Sequence, residues 1–345
     1  MSSSASTPKK RHPIGRFFAF LGVTLLCLVL TLLGLIWVLE RGPSPTVTGM
    51  FTRSVRETSA IRWISNIFLS DEELDNYKSV STENTVTEAV NTSLIHIAEG
   101  TASLPPSESV QLIDIAEGTC KGKLLIVSDP KQVILGTSDE FVRQPGLLLT
   151  DMVAKYDGIA GINAGGFNDE NGTGNGGIPQ GLVISDGQLV FGDAYTPYHI
   201  VGLDANGILH VGAMNGQQAL EQGIWWAVSF ITHDGLASSL IINGEVVSQN
   251  LGSGVNPRTA IGQREDGALL LLVLDGRSIN TLGATMQDVV NIMLEYGAIN
   301  AGNLDGGSSS VMVYNGEIIN HCASVTGPRR IPTGFIVLKE GARYE

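Results

Sequence analysis

No CxxC or HxxxH pair occurs anywhere in the 345 residues, and the six histidines are scattered, so the usual ligand spacings of a zinc site are missing. No G-x-S-x-G turn lies near any histidine, which leaves a Ser-His-Asp hydrolase without support. Cysteine is scarce: Cys27, Cys120 and Cys322 are the only three, and their spacing gives no disulfide framework. Positive charge is also short. The formal net charge is −13, and because Lys9, Lys10, Arg11 and Arg16 all fall in the first sixteen residues, the remainder is more acidic still. Such a surface repels nucleic acid, which is not expected as a partner. Aromatic residues make up only 6% while glycines number 42, a balance that favours many turns between strands over a helical bundle. No repeat of fixed period is present.

The one long apolar run is Phe17 to Leu39, 23 residues without a charge. That is enough to cross a hydrocarbon core of ~30 Å as a helix. Basic residues precede it, so the expected arrangement is a cytoplasmic basic tail (1–16), a single-pass anchor in the lipid bilayer (17–39), and an extracytoplasmic remainder. The run exceeds the usual core of a signal peptide and no small-x-small site follows it directly, which favours an uncleaved anchor. Residues 40–78 read as a juxtamembrane helical stalk, with an amphipathic stretch from Ser59 and a helix start at Ser70. Residues 79–109, rich in Ser, Thr and Glu, read as a linker.

From residue 110 to 345 short β-branched and leucine-rich runs alternate with glycine. Asp186-Gly187, Asn206-Gly207, Asn243-Gly244, Asp266-Gly267 and Asn315-Gly316 each separate two apolar runs, the pattern of hairpin turns. At least ten strands are expected. Helices are expected over Leu147 to Tyr156 and over Thr285 to Tyr296, the second with Thr285 as N-cap and Asp288 three residues on. The fold class is therefore α+β: a large, mainly antiparallel β-sheet system with a few packed helices, preceded by one N-terminal transmembrane helix.

Candidate chemistry concentrates in two glycine-rich turns. The stretch Asn300 to Val313 (NAGNLDGGSSSVMV) places the single charge of Asp305 before Gly306, Gly307 and three serines, at the entrance of a strand. The stretch Gly161 to Asn168 (GINAGGFN) ends another apolar segment with Gly165 and Gly166. Glycines let backbone N–H groups approach a polar or anionic ligand, and serines add hydroxyls. Arg258, just before a strand, suits a phosphate because a guanidinium fork matches its oxygens. Asp275 ends the run Leu269 to Leu274 and reads either as a turn or as a catalytic acid. The loop from Asn168 to Gly177 alternates oxygen donors in a calcium-like manner but lacks the EF-hand spacing and its terminal glutamate, so it reads as a polar lid or turn. No cofactor is expected, and a divalent metal such as calcium has no specific support.

Taken together, GINAGGFN at Gly161, PQG at Pro179, NPRTAIGQREDGALLLLVLDGR at Asn256, GATMQDV at Gly283 and INAGNLDGGSSSVMV at Ile299 resemble the phosphodiester glycosidase family, in that family's order. The resemblance spans roughly Val110 to Leu338. It implies an enzyme that hydrolyses a sugar-1-phosphodiester, with a glycan, sugar-phosphate or cell-envelope polymer as partner. Matched residue by residue, it implies site roles for Asn163, Arg258, Asp275 and Asp305, and for an arginine that fits Arg329, with Arg330 adjacent. Gly306, Gly307, Ser308, Gly165 and Gly166 would bind phosphate or sugar. Two departures stand out: Ala164 interrupts the first glycine motif, and Ser308 replaces a third glycine after Asp305. Asp305 is left with three possible roles, as nucleophile, as base, or as stabiliser of an oxocarbenium-like sugar. A non-catalytic exopolysaccharide-binding surface module is the competing expectation.

Overall fold

The structure, a computed structural model, describes residues 13–77, 89–97, 109–169, 174–230, 238–247, 254–278, 281–324 and 327–339. Three antiparallel sheets carry the domain. The largest runs in the order β1 (Val110–Glu117), β2 (Cys120–Val127), β13 (Leu269–Leu274), β12 (Arg258–Arg264), β14 (Ala298–Asn303), β10 (Ser239–Ile242) and β11 (Glu245–Val246). The second runs β16 (Glu317–Ile318), β15 (Met312–Tyr314), β4 (Gly158–Asn163), β17 (Thr333–Leu338) and β3 (Val133–Thr137). The third runs β6 (Gln188–Phe191), β5 (Val183–Ser185), β9 (Ile224–Ser229), β7 (Pro197–Asp204) and β8 (Leu209–Asn215). The expected α+β class with mainly antiparallel sheets is what the chain adopts.

Strand β13 explains how the layers stack. All six of its residues are buried, and successive side chains of a strand point to opposite faces. Leu269, Leu271 and Val273 enter the core shared with the other two sheets, while Leu270, Leu272 and Leu274 enter a second core. That second core is closed by Met286, Val289, Val290, Ile292 and Met293 of the helix Met286–Glu295. A leucine run that looks wholly apolar is thus the mark of a strand covered on both sides. Truncating any one of these leucines to Ala is a loss of about 2–5 kcal/mol.

The helices, in chain order, are α1 (Pro13–Arg41), α2 (Pro45–Arg56), α3 (Asp71–Asp75), α4 (Leu149–Lys155), α5 (Gly216–Glu221) and α6 (Met286–Glu295). In α6 the Thr285 side chain accepts from the Asp288 N–H, and the Asp288 carboxylate accepts from the Thr285 N–H, the box that the sequence shows. Helix α5 escaped the sequence reading although Asn215 and Gln218 form the same reciprocal box. Asp186, Asn243 and Asn315 each adopt positive φ together with the glycine that follows, as two-residue hairpins require. At Asn206-Gly207 and Asp266-Gly267 only the glycine does so.

Helix α1 is long and apolar enough to cross a membrane, and nearly all its side chains face outward. Its end is tied down: Arg41 forms an ion pair with Glu73 of α3 and donates from Nε to Phe68 O at 3.0 Å, while Phe68 N donates to the Glu40 carboxylate at 3.1 Å. Three residues, 42–44, separate α1 from α2. The amphipathic stretch from Ser59 forms a 3-10 helix, Ser59–Asn66, with Trp63 exposed. Of the expected linker, residues 79–88 and 98–108 lie outside the described residues. Between them, Asn91 N donates to Asn243 Oδ1 at 2.7 Å and His96 N to Glu265 O at 2.6 Å, so this stretch lies along two hairpin turns of the domain.

Candidate active site

Asp305 comes two residues after the end of β14 and sits where the first two sheets meet. Its N–H donates to Ala164 O at 3.0 Å, and the N–H of Leu304 donates to Thr259 O at 2.9 Å, which joins the GINAGGFN turn, β12 and the Asp305 loop at one point. Asn163 is the fastener: its amide donates to the Asp305 carbonyl at 2.6 Å, and its Oδ1 accepts from the Thr259 hydroxyl at 2.9 Å and from Val311 N at 3.1 Å. Thr259 reaches the Ser310 hydroxyl as well, at 3.1 Å. Asn163 touches the Asp305 backbone and shapes the loop, with its own polar atoms all satisfied within the protein.

The Asp305 carboxyl lies deep among protein atoms, yet the residue keeps an accessible edge. Burial pushes its pKa up to about 7, against the lowering pull of the Ser309 hydroxyl, with the Asp169 charge raising it and Arg329 and the Gly306 N–H lowering it. A carboxyl near neutrality can hold or release a proton at working pH, which is how general acids and bases are tuned.

Arg329 is the cation of this cluster. Its Nη1 and Nη2 grip Asp169 in a two-pronged pair at 3.0 and 2.7 Å, Nη1 also donates to Ser308 Oγ at 3.2 Å, and Nη2 to Gly174 O at 2.9 Å. The guanidinium lies 5.3 Å from the centre of the Phe167 ring. Arg330 points elsewhere, donating to Gly146 O at 3.2 Å. Between the two candidate registers, Arg329 is the arginine beside Asp305.

In the sequence Asp169 is only one member of a polar turn. It comes beside Asp305 through Arg329, which grips it while also acting on the Asp305 carboxyl, and Gly174 N donates back to its Oδ1 at 2.7 Å. Residues 170–173 of that loop lie outside the described residues. Among the described residues, no group of three or more His, Cys, Asp or Glu side chains is arranged to hold a metal ion.

Arg258 stands apart. Thr259 faces Asn163, so the alternation of β12 turns Arg258 to the opposite face, beside α6. Its side chain is 7% exposed and is held by three hydrogen bonds: Nη2 to the Glu57 carboxylate at 2.7 Å and to Gly254 O at 2.5 Å, Nε to Ala284 O at 3.1 Å. Asp275 lies behind the strip Asn320–Cys322. It accepts from His321 N at 2.9 Å, while Asn320 donates to Ser310 O at 3.2 Å. Burial raises the Asp275 pKa, against the His321 N–H and charge. No hydrogen bond joins Asp275 to Asp305 among the described residues.

The glycine N–H groups are largely turned inward. Gly165 N donates to Thr333 Oγ1 at 3.1 Å, Gly166 N to Ser229 O at 3.2 Å, and Gly307 N to Pro257 O at 3.0 Å. Gly307 has φ +62°, a conformation that favours glycine. A Cβ at Gly165 would stand 2.9 Å from Val228 Cβ, so close packing accounts for that residue. Ser308, in the position where the family resemblance leads one to expect glycine, lends its hydroxyl to Arg329.

Cys120 and Cys322 are both free thiols. Burial pushes Cys120 up to about 11, and its thiol meets Gly283 O, whereas the Cys322 thiol reaches Ser308 O at 3.9 Å and is half-buried beside the Asp305 loop. Alkylation is therefore expected to modify Cys322 and spare Cys120, and to block ligand access at Asp305. Peptide mapping after iodoacetamide checks the first; protection of Cys322 by a bound sugar phosphate checks the second.

The sequence profile described as Phosphodiester glycosidase matches residues 156–338, just over half of the chain. An N-acetylglucosamine-1-phosphodiester alpha-N-acetylglucosaminidase of Bos taurus is 27% identical over 172 residues, covering 44% of this chain and 32% of that protein. The SPbeta prophage-derived uncharacterized protein YomE of Bacillus subtilis (strain 168) is 47% identical over 66 residues, 19% of this chain and 10% of YomE. The chain thus spans a third or less of the length of these relatives. The zebrafish N-acetylglucosamine-1-phosphodiester alpha-N-acetylglucosaminidase catalytic domain, described as auto-inhibited by pro-peptide, superposes with a TM-score of 0.53 at 22% identity. That match covers 67% of this chain and 82% of that one, and shows a shared fold.

Proposed function

The chain belongs to the phosphodiester glycosidase family, and from that membership and the Asp305 cluster we propose that it hydrolyses the C1–O bond of a sugar-1-phosphodiester in a glycan or cell-envelope polymer. The observation that carries this reading is a carboxyl with a pKa of about 7 set beside a guanidinium already paired with a second carboxylate. An incoming phosphate can exchange with Asp169 for the Arg329 fork, which is shaped for oxygens at just that spacing. Ser308, bonded to the same guanidinium, adds a hydroxyl at the phosphate.

In this reading Asp305, ionised, takes a proton from water as the water oxygen bonds to C1. The C1–O bond breaks with its electron pair leaving on the phosphomonoester, whose charge Arg329 offsets. A phosphomonoester leaves more readily than an alcohol, so protonation of the leaving oxygen matters less than in ordinary glycoside hydrolysis. Asn163 holds the Asp305 loop in register, and Asp275 supports the strip Asn320–Cys322 behind it. Helix α1 serves as the membrane anchor, with the N-terminus cytoplasmic and the domain outside, because the basic residues precede the apolar run.

The test is turnover of methyl N-acetylglucosamine-1-phosphate in ¹⁸O water by the full chain in detergent. Label is expected in the released sugar. Label in the phosphate would mean P–O cleavage, and binding without turnover that is insensitive to Asp305→Asn would make the domain a glycan-binding module.

A further inference from the structure

Glu57 belongs to a segment that the sequence assigns to a stalk, yet its side chain is only 12% exposed and its carboxylate is held by the domain. One oxygen accepts from Gly254 N at 2.7 Å; the other accepts from Asn256 Nδ2 at 2.8 Å and from Arg258 Nη2 at 2.7 Å. Neighbours reinforce it: Val255 N donates to the Ser54 hydroxyl at 2.8 Å, and the Thr58 hydroxyl donates to Asn256 Oδ1 at 3.4 Å. We propose that Glu57 is a positioning residue for the active site, fixing the strip 254–258 against which the Asp305 loop is built. The kinetic part of this inference rests on the hydrolase reading above; the structural part does not.

The path is short. Asp305 is suspended between two backbone bonds to this strip and the strand it leads into: Leu304 N to Thr259 O on one side, Gly307 N to Pro257 O on the other. A Cβ at Gly306 would come within 2.9 Å of Pro257 O, so the loop lies directly on that carbonyl. Any displacement of Pro257 is passed to Gly306 and Gly307, and from there to the carboxyl between them and Leu304. What holds Pro257 is the strip on either side of it. Asn256 exchanges two backbone bonds with Ala284, at 3.1 and 2.9 Å, and Arg277 donates to Val255 O at 2.8 Å. The strip is also bonded to Ser54 and Thr58, and Arg258 to Ala284 O and Gly254 O; three further ties, at Gly254, Asn256 and Arg258, converge on the one carboxylate of Glu57. It is a bolt inserted from outside the β-domain's own sequence.

Glu57→Ala and Glu57→Gln in the full chain test this, with Glu73→Gln as a control that loosens the α1 end without touching the strip. For Glu57→Ala, kcat on methyl N-acetylglucosamine-1-phosphate is expected to fall ~10- to 100-fold, as a small misplacement of a reacting group does, with KM changed by less than about threefold. Hydrogen exchange in the peptide 300–311 is expected to quicken, while that in 333–338 stays as in the unaltered chain. Glu57→Gln keeps an acceptor for Gly254 but loses the charge facing Arg258, and should fall between the two; it decides the matter if the alanine variant does not fold. The control should match the unaltered chain in both readouts. Unchanged kcat and unchanged exchange in 300–311 would overturn the proposal, and so would a rise in kcat, which would make α2 a brake. If the unaltered chain does not turn the substrate over, the hydrolase reading fails, and the exchange measurement alone decides on Glu57.

Discussion

Asp305→Asn is expected to lower kcat/KM by about 10²–10⁴-fold, the usual contribution of a placed acid or base, while making the folded protein more stable at alkaline pH. The two effects share one cause. Asparagine has nearly the same shape but neither gains nor loses a proton. The native Asp305 carboxyl holds its proton up to about pH 7, whereas in the unfolded chain an aspartate releases it near ~3.9. Between those values the folded state binds one more proton than the unfolded state, so this group's stabilising contribution is whole below about pH 4 and is lost as pH rises to about 7. The slope is about 1.4 kcal/mol per pH unit for one proton. Above pH 7 it flattens. Urea midpoints at pH 5 and pH 8 for the two proteins measure this: their difference should change between the two pH values in favour of the asparagine variant. For the catalytic arm, kcat/KM should rise with pH through about 7, since only the ionised carboxyl accepts a proton. A variant retaining a tenth of the activity would remove Asp305 from the chemistry.

A fragment beginning at residue 110 is expected to be unstable or insoluble, whereas one beginning at residue 43 keeps the fold. The first contains every strand named above, and by sequence alone it is the natural unit to express. It lacks Glu57. Arg258, a buried guanidinium, would then lose its ion-pair partner, and breaking a buried pair this way destabilises by about 3–5 kcal/mol. Against a total stability of about 5–15 kcal/mol, that is a large share. Ser54 and Thr58 would be missing from the same strip. Thermal unfolding followed by circular dichroism compares the two fragments, and melting within about 3 °C of each other would show that the strip 254–258 needs nothing from α2.

Which features could be read from the residues follows from how local their causes are. Helix α6 is capped by residues three apart, and the hairpins at Asp186, Asn243 and Asn315 are set by two residues each, so both are visible in a short window. Asp305 was conspicuous for being the one charge among glycines and serines. Asp169 was not, because its loop carries many polar residues and only the grip of Arg329, 160 positions away, singles it out. Arg258 shows the converse. Its type suits a phosphate, but one residue of strand parity turns it from the face of Asn163 to that of α6, where Glu57 awaits it. Composition made the segment before residue 78 look like a stalk, since nothing in its own pattern reports that one glutamate fits a cleft formed about two hundred residues later.

The three residues between α1 and α2 leave almost no slack. Arg41 and Glu40 are clamped to the 68–73 segment, and α2, about 18 Å long, is bolted to the domain through Glu57. If α1 anchors the chain in a bilayer as proposed above, the β-domain would not wander on a leash; it would ride at one altitude. Under that proposal its reach would be a thin sheet parallel to the lipid surface, so substrate chains rooted in the same surface would be met by sideways drift, while free oligomers would have to come down to it.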